Sequence, residues 1–500
     1  MRTRTLFPPT SLKAAALVLA VTAAGCAAMG SNYERPKMEP PALYRDVRPA
    51  PTPESLADLP WWQTFQDPAL QALIRDGFAS NLDLRIAAAR VMESRALAGI
   101  AKSYLYPEVG VGFGTKQEQV SRVGDPKASE ATVPDRTYSN WALSGTLSWE
   151  IDLFGRIRRG KEAAVAQYLA SEEGRKALMV TLVADIASTY FYLRELDLDL
   201  EIARRTLKIN DDTVVYYARR LAGGVSNRLE VDQAKGNRAL TAAAIPALER
   251  QIGLAENSLS VLLGRPPSAI PRAGGLGEKI PPTIPTGLPA SLLERRPDVV
   301  AAEQQLVSAN ANVGAAKALF YPTITLTGSA GAVSSAMTNF LSPESMIWSL
   351  GAGLFQPIFN GGRLKQNYEA QKARFDVAMA EYQKAALNSY REVADALVSI
   401  EKFGAQRVEF ESGVEALRDA VTLARARYDT GLSSYLEVLI ADQQLFQQEL
   451  QLAQARGEQW RSISLLYRAL GGGWQPEQQT VPDPPKTTQR PLPPPPPIKK

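Results

Sequence analysis

Between residues 140 and 154 the odd positions read Trp141, Leu143, Gly145, Leu147, Trp149, Ile151 and Leu153, while the even ones read Ala142, Ser144, Thr146, Ser148, Glu150 and Asp152. A period of two is that of a strand with one apolar and one small or polar face. Val109, Val111 and Phe113, spaced by glycines, supply its partner. The pattern returns later, where Ile324 and Leu326 alternate with Thr323, Thr325 and Thr327, and Trp348, Leu350, Ala352 and Leu354 continue it. Two hairpins are therefore predicted, over 107–154 and 322–359.

After Gly155 the period changes to three and four, as in Leu178, Leu182, Ile186, Tyr190 and Leu193, with charges between. That is the stripe of an amphipathic helix, and for most positions an ordinary coiled-coil seam accounts for it. The chain has 35 prolines, yet none between 135 and 245 or between 358 and 475. Such runs permit uninterrupted helix, because a proline inside one removes a hydrogen bond and clashes with the preceding turn. Long helices are thus predicted over 156–221 and 363–429. The first would run roughly 100 Å at about 1.5 Å per residue, against about 11 or 12 residues for an average globular helix. Gly223 and Gly224 end it. Shorter helical stretches at 82–105 and 227–263, then at 297–320 and 433–470, sum in pairs to nearly the length of the long ones. Each pair is expected to stack end to end beside its long helix and build a tube wall. The charges Glu172, Glu173, Asp197, Asp199 and Glu201 read as solvated helix faces rather than catalytic pairs.

The two sets of elements are copies. Ala101, Lys102, Tyr106 and Pro107 recur as Ala316, Lys317, Tyr321 and Pro322, an offset of 215, as does Asp83 in Asp298. Arg220, Gly224, Leu229, Glu230 and Val231 recur as Arg427, Gly431, Leu436, Glu437 and Val438, and Leu263 and Gly264 as Leu470 and Gly471, an offset of 207. The first copy therefore carries a longer loop, expected in the polar stretch 115–138. The repeats are assigned to 61–264 and 292–472, with a 26–60 extended segment and a 265–291 linker rich in proline and glycine. The tail 473–500, with five consecutive prolines, is expected to be disordered.

A half-buried soluble sheet would alternate in the same way, so the aromatic residues matter. Trp141 and Trp149, eight apart on the apolar face, stand roughly 26 Å apart at about 3.3 Å per residue. After tilt this fits the two aromatic girdles of an outer-membrane barrel. With Trp348 they form the candidate girdle, and Tyr106, Tyr321, Phe154 and Phe359 suit the inner interface. Four strands cannot close a barrel, and a bilayer tolerates no open sheet edge. Two chains would give eight strands and a filled bore, whereas three give twelve and leave a channel. The fold class is thus a mixed α and β membrane protein: a trimeric 12-stranded barrel, four strands per chain, continued by a long α-helical barrel.

Composition narrows the chemistry. Histidine is absent, cysteine occurs once, and net charge is +4 over 500 residues. The commonest general base and the usual zinc ligands are missing, an internal disulfide is excluded, and nothing argues for nucleic acid, a cofactor or an enzyme. Arg2, Arg4 and Lys13 precede an apolar run over 14–24 and then Gly25 and Cys26, the form of a secretory signal over 1–25 ending at a lipidated cysteine. An ordinary signal with a chance cysteine is the alternative. By resemblance to bacterial lipoproteins, a leucine is usual at the place of Ala23, and Ala27 lacks the acidic character of inner-membrane retention.

Trp61, Trp62, Phe65, Asp67, Pro68 and Leu70, then Asn81, Leu82 and Leu84, resemble the opening of the outer-membrane factors of resistance-nodulation-division efflux systems, the TolC-like lipoprotein channels. Arg295, Arg296, Pro297, Asp298, Ala302 and Glu303, followed by Phe320, Tyr321 and Pro322, look like the matching signature in the second copy. The resemblance spans about 26 to 472. It implies a homotrimeric passive exit duct in the outer membrane, docked to a periplasmic adaptor protein and an inner-membrane transporter. It also places the adaptor-docking tips at Arg220, Leu221, Gly224, Ser226, Arg427, Tyr428, Gly431 and Ser434. The family's closed tip often has a leucine, then an aspartate four on and an arginine three beyond. Here Leu436 is followed by Ile440 and Gln443, so Asp232 and Asp442 are the neighbouring carboxylate candidates for a gate. A lipid-anchored periplasmic coiled-coil scaffold without a pore is the competing reading.

Overall fold

The computed structural model describes residues 28–41, 60, 64–119, 137–272 and 292–472. The signal segment, Cys26, Trp61, Trp62, residues 120–136 and the tail lie outside the described residues.

The elements follow the two periods of the sequence. Helix α1 spans Pro68–Ser80 and α2 Leu82–Ser103; strands β1, Glu108–Gln119, and β2, Thr137–Ile151, follow; then come α3, Arg156–Ala222, and α4, Arg228–Leu262. The second copy gives the short α5, Leu292–Arg295, then α6, Pro297–Ala318, β3, Thr323–Ser334, β4, Met346–Phe355, α7, Arg363–Asp429, and α8, Tyr435–Ala469. Both α3 and α7 have 67 residues. Residues 115–119 and 137–138, read from the sequence as loop, belong instead to β1 and β2, because a sheet continues as long as a partner strand offers hydrogen bonds, whatever the polarity of the text.

The chain forms two compact units, and neither is one of the repeats. Counting only the described residues of each range, the first comprises Met1–Lys37, Arg90–Ser171 and Ala301–Tyr382, and the second Met38–Ala89, Glu172–Val300 and Gln383–Lys500. Each draws on both copies.

The first unit holds a four-stranded antiparallel sheet in the order β1-β2-β3-β4. Residues 28–37 are stitched onto this unit. Met29 N donates to Phe154 O at 3.0 Å, the Arg159 guanidinium donates to Met29 O and Asn32 Oδ1, both at 3.0 Å, and Asn310 Nδ2 donates to Ser31 O at 3.1 Å. Arg35 then grips Glu303 with two bonds of 2.7 Å, and Tyr33 donates to the same carboxylate at 3.0 Å.

The second unit holds the main core. Phe65, Leu70, Leu73 and Ile74 pack on Leu182, Ile186, Tyr190 and Leu193 of α3, Leu259 of α4, Val393 of α7 and Leu466 and Tyr467 of α8. Helix α3 is apolar enough along part of its length to cross a membrane by composition, but these residues face a packed protein core. Asp67 caps α1, accepting from Ala69 N and Leu70 N, and its other oxygen accepts from Tyr190 at 2.9 Å. Short helices meet end to end: Asn81 Nδ2 donates to Leu262 O at 2.9 Å, and Arg296 donates to Ala469 O at 3.0 Å in the second copy. Gly264 lies so close to Ser80 that an added Cβ would stand 2.1 Å from its carbonyl oxygen.

Candidate channel wall and helical tips

Strand pairing gathers the alternating positions of four strands into two continuous faces. Val109 opposes Leu147 and Phe113 opposes Leu143; Leu147 opposes Gly328, Trp149 opposes Leu326 and Ile151 opposes Ile324; Ile324 opposes Leu354 and Ala330 opposes Trp348. Opposed residues share a face, so one side gathers valine, leucine, isoleucine, phenylalanine and tryptophan, giving way to Thr115, Gln117 and Gln119 at the far end of β1. The reverse side carries Ser144, Thr146, Ser148, Glu150, Thr325, Thr327 and Ser349 among glycines. Val111, Trp348, Leu350 and Leu354 are exposed, as no single chain covers them. Among the described residues, β1 and β4 each pair along one edge only.

The aromatic residues mark both ends of the apolar face. At the end away from the helices, Trp141 lies 6.2 Å from Phe113, and Phe113 meets Phe340 edge-on at 6.1 Å. Phe113 and Phe340 join Trp141 at this end, and the cross-strand place of Phe113 beside Trp141 is the signal for it in the sequence. At the helix end, Trp149 Nε1 donates to Leu105 O at 3.1 Å, an aromatic body with its polar tip satisfied. Phe154 stacks on Tyr321 at 4.9 Å, while Tyr106 and Phe359 are exposed.

In the second unit the helix pairs turn at Gly224 and Gly431, with φ of +74° and +78°. Val225 N returns to Arg220 O at 3.0 Å and Leu432 N to Arg427 O at 2.8 Å, so the left-handed residue closes each long helix by the same backward bond. The two turns are tied to each other. Tyr217 of α3 packs on Tyr428 of α7 at 5.5 Å and Tyr435 of α8 at 4.3 Å. Tyr428 donates to Glu230 of α4 at 3.0 Å, Ser226 donates to the same carboxylate, and Tyr216 donates to Asp429 at 2.8 Å. Arg220 donates to the Tyr216 hydroxyl at 2.8 Å and lies over the Tyr216 and Tyr428 rings at 5.5 and 5.3 Å. Burial and the Glu230 carboxylate push the Tyr428 phenol up to about 12.

The tip residues named from the sequence thus divide. Arg220, Ser226 and the buried Tyr428 brace the turns from within. Arg427 faces Glu437 at 3.8 Å, Ser434 caps α8 without a side-chain bond, and Leu221 is exposed, as are Val225, Leu229 and Leu432. The gate candidates divide too. Leu436 and Ile440 are exposed, and Asp232 is an exposed partner of Arg228 and Lys235. Asp442 is bound by Arg425 at 2.9 Å, with its carboxylate raised by burial against the pull of that guanidinium. Gln443 donates to Asn237 at 3.2 Å, in a buried amide network with Asn210 and Thr241.

One part of the charge reading differs. Asp197 pairs with Arg272 at 2.7 Å, but Asp199 is largely buried and pushed up to about 7 by desolvation. Glu195, one turn earlier, is pushed up to about 8 by burial that outweighs Arg461. Its carboxylate fills the space a side chain at Gly457 would occupy. The described residues contain no cluster of acidic or cysteine ligands suited to a metal.

Residues 73–265 and 288–472 match the family of outer membrane efflux proteins. The solvent efflux pump outer membrane protein SrpC of Pseudomonas putida is 36% identical over 417 residues, covering 83% of this chain and 87% of that protein. A probable outer membrane lipoprotein, SilC of Salmonella typhimurium, is 32% identical over 456 residues, 90% of this chain and 96% of the relative. The open-state MtrE outer membrane channel of Neisseria gonorrhoeae superimposes with a TM-score of 0.81 at 30% identity, over 91% of this chain and all of that one. The chain belongs to the outer membrane efflux protein family and is an outer-membrane exit channel of an efflux system.

Proposed function

We propose that three copies of this chain close into a twelve-stranded barrel and act as a passive conduit, with transport driven by an inner-membrane transporter. A periplasmic adaptor protein couples the two. The observation that carries this is the sheet itself, apolar on one side and polar on the other, with β1 and β4 each paired along one edge only among the described residues. Exposed backbone groups are not tolerated in hydrocarbon, and twelve strands leave a bore wide enough for solutes. Drugs or other small molecules of the kinds named for the relatives would pass along the serine and threonine face. No residue of this wall is asked to do catalysis. The adaptor would dock at the exposed apolar side chains of the two turns, Leu221, Val225 and Leu229 and their counterparts Leu432 and Leu436.

Acylation of Cys26 would add a second hold on the membrane at about 0.8 kcal/mol per buried methylene. The stitched segment 28–37 supports this, since it binds the residues just after Cys26 to the foot of the sheet. The test is sedimentation of detergent-extracted protein together with conductance in planar bilayers. Trimers that conduct are expected. Lone protomers with intact hairpins, or trimers that never conduct, would return the scaffold reading.

A further inference from the structure

The connection from β3 to β4, residues 335–345, lies at the end of the sheet remote from the helices and is wholly described. It is a built segment. Two 3-10 turns, Met337–Asn339 and Pro343–Ser345, occupy it. Asn339 O accepts from Ser345 Oγ at 2.6 Å and from Ser342 N at 3.1 Å, and Ser334 Oγ donates to Ala336 O at 2.7 Å.

Its place is set by Phe340. That side chain is buried, with its ring edge-on to Phe113, and Phe113 shares the apolar face with Leu143, its partner across β2. A second observation agrees. Ala332, on the same face between Leu143 and Met346, is 3% exposed, whereas Ala330, one register step toward the helices, is exposed. Among the described strand residues Ala332 alone is fully buried, and it lies at the end of the sheet that this connection leaves. Met337 and Leu341 remain bare, at 59% and 76% exposure, as does Met346, the first residue of β4. Apolar surface left in water costs about 25 cal/mol per Å², and a patch continuous with a membrane-facing surface has an occupant at hand.

We infer that the β3–β4 connection is a lipid-binding skirt. Phe340 pins it to the outside of the barrel, and Leu341 and Met337 enter the acyl region of the leaflet at that end. The connection therefore leans away from the pore mouth and does not obstruct the exit. This rests on the reading of the sheet as part of a transmembrane barrel.

Spin labels on Leu341→Cys, Leu350→Cys and Thr327→Cys, each in the full chain reconstituted in phospholipid vesicles, test it. The readout is collision with oxygen, which concentrates in lipid, against a water-soluble nickel complex; labelled wild-type protein sets any background from Cys26. The label at 341 should favour oxygen as the one at 350 does, and the one at 327 should favour nickel. Adding Phe340→Ala should remove the oxygen preference at 341 and leave 350 unchanged. A nickel-accessible 341 beside an oxygen-accessible 350 would overturn the skirt alone. Nickel access at 350 as well would end the barrel reading and the skirt with it.

Discussion

At the scale of single residues, the side chains that carry the family resemblance are staples of the fold. Glu303 has almost no exposed surface and is held by Arg35, whose own side chain is about half exposed. Breaking a fully buried pair costs about 3–5 kcal/mol, and the exposure of Arg35 reduces that. Arg35→Ala should therefore destabilise by about 2 kcal/mol, read as a fall in the thermal midpoint in detergent, and adding Glu303→Gln should restore most of it. Asp67, Asn81 and Arg296 are similar, each completing a helix end, which is why these residues were legible as a signature. Glu195 and Asp199 were not legible. A carboxylate in a helical text reads the same whether solvent or the Gly457 backbone lies opposite it. Their pKa values, about 8 and about 7 in the fold, lie above the ordinary value near 4 of the unfolded chain. The folded state then binds more protons between about pH 4 and 8, so stability is greatest at the acid end and falls as pH rises through that window. Glu195→Gln with Asp199→Asn should flatten the dependence of the thermal midpoint on pH between 5 and 9.

At the scale of elements, both hairpins, the two long helices and the four shorter ones beside them could be read from the sequence, because burial on one face imposes a period of two or of 3.6. Pairing between β2 and β3 could not. It joins segments roughly 180 residues apart in sequence, and local pattern says nothing of such distant partners. Glycines reveal how close that junction is. A Cβ on Gly331 would stand 1.9 Å from Leu143 O, whereas one on Gly112 would meet nothing within 4 Å. Gly331→Val should abolish the assembled barrel, seen as loss of the heat-resistant oligomer on a gel, while Gly112→Ala should leave it intact.

At the scale of the whole molecule, the duplicated text does not fold as two halves, since each compact unit takes pieces from both copies. Neither half could be expected to stand alone. The duplication instead preserves geometry. Shifted by 215 and 207, the couples Val109 with Leu147 and Val111 with Gly145 become Ile324 with Leu354 and Leu326 with Ala352, and those are the couples that β3 and β4 form. The β2–β3 junction therefore acts as a template for a contact that a lone chain cannot make. Carried through the same shifts, Leu147 facing Gly328 becomes Leu354 facing Phe113, and Gly145 facing Ala330 becomes Ala352 facing Thr115. These couples belong to the two free margins of the sheet, so they must arise between neighbouring copies. Opposed Cα atoms stand about 4.5–5.5 Å apart, within reach of a disulfide. Oxidising a Thr115→Cys, Ala352→Cys variant should weld three chains into a covalent ring, and moving one cysteine a single position along either margin should prevent it.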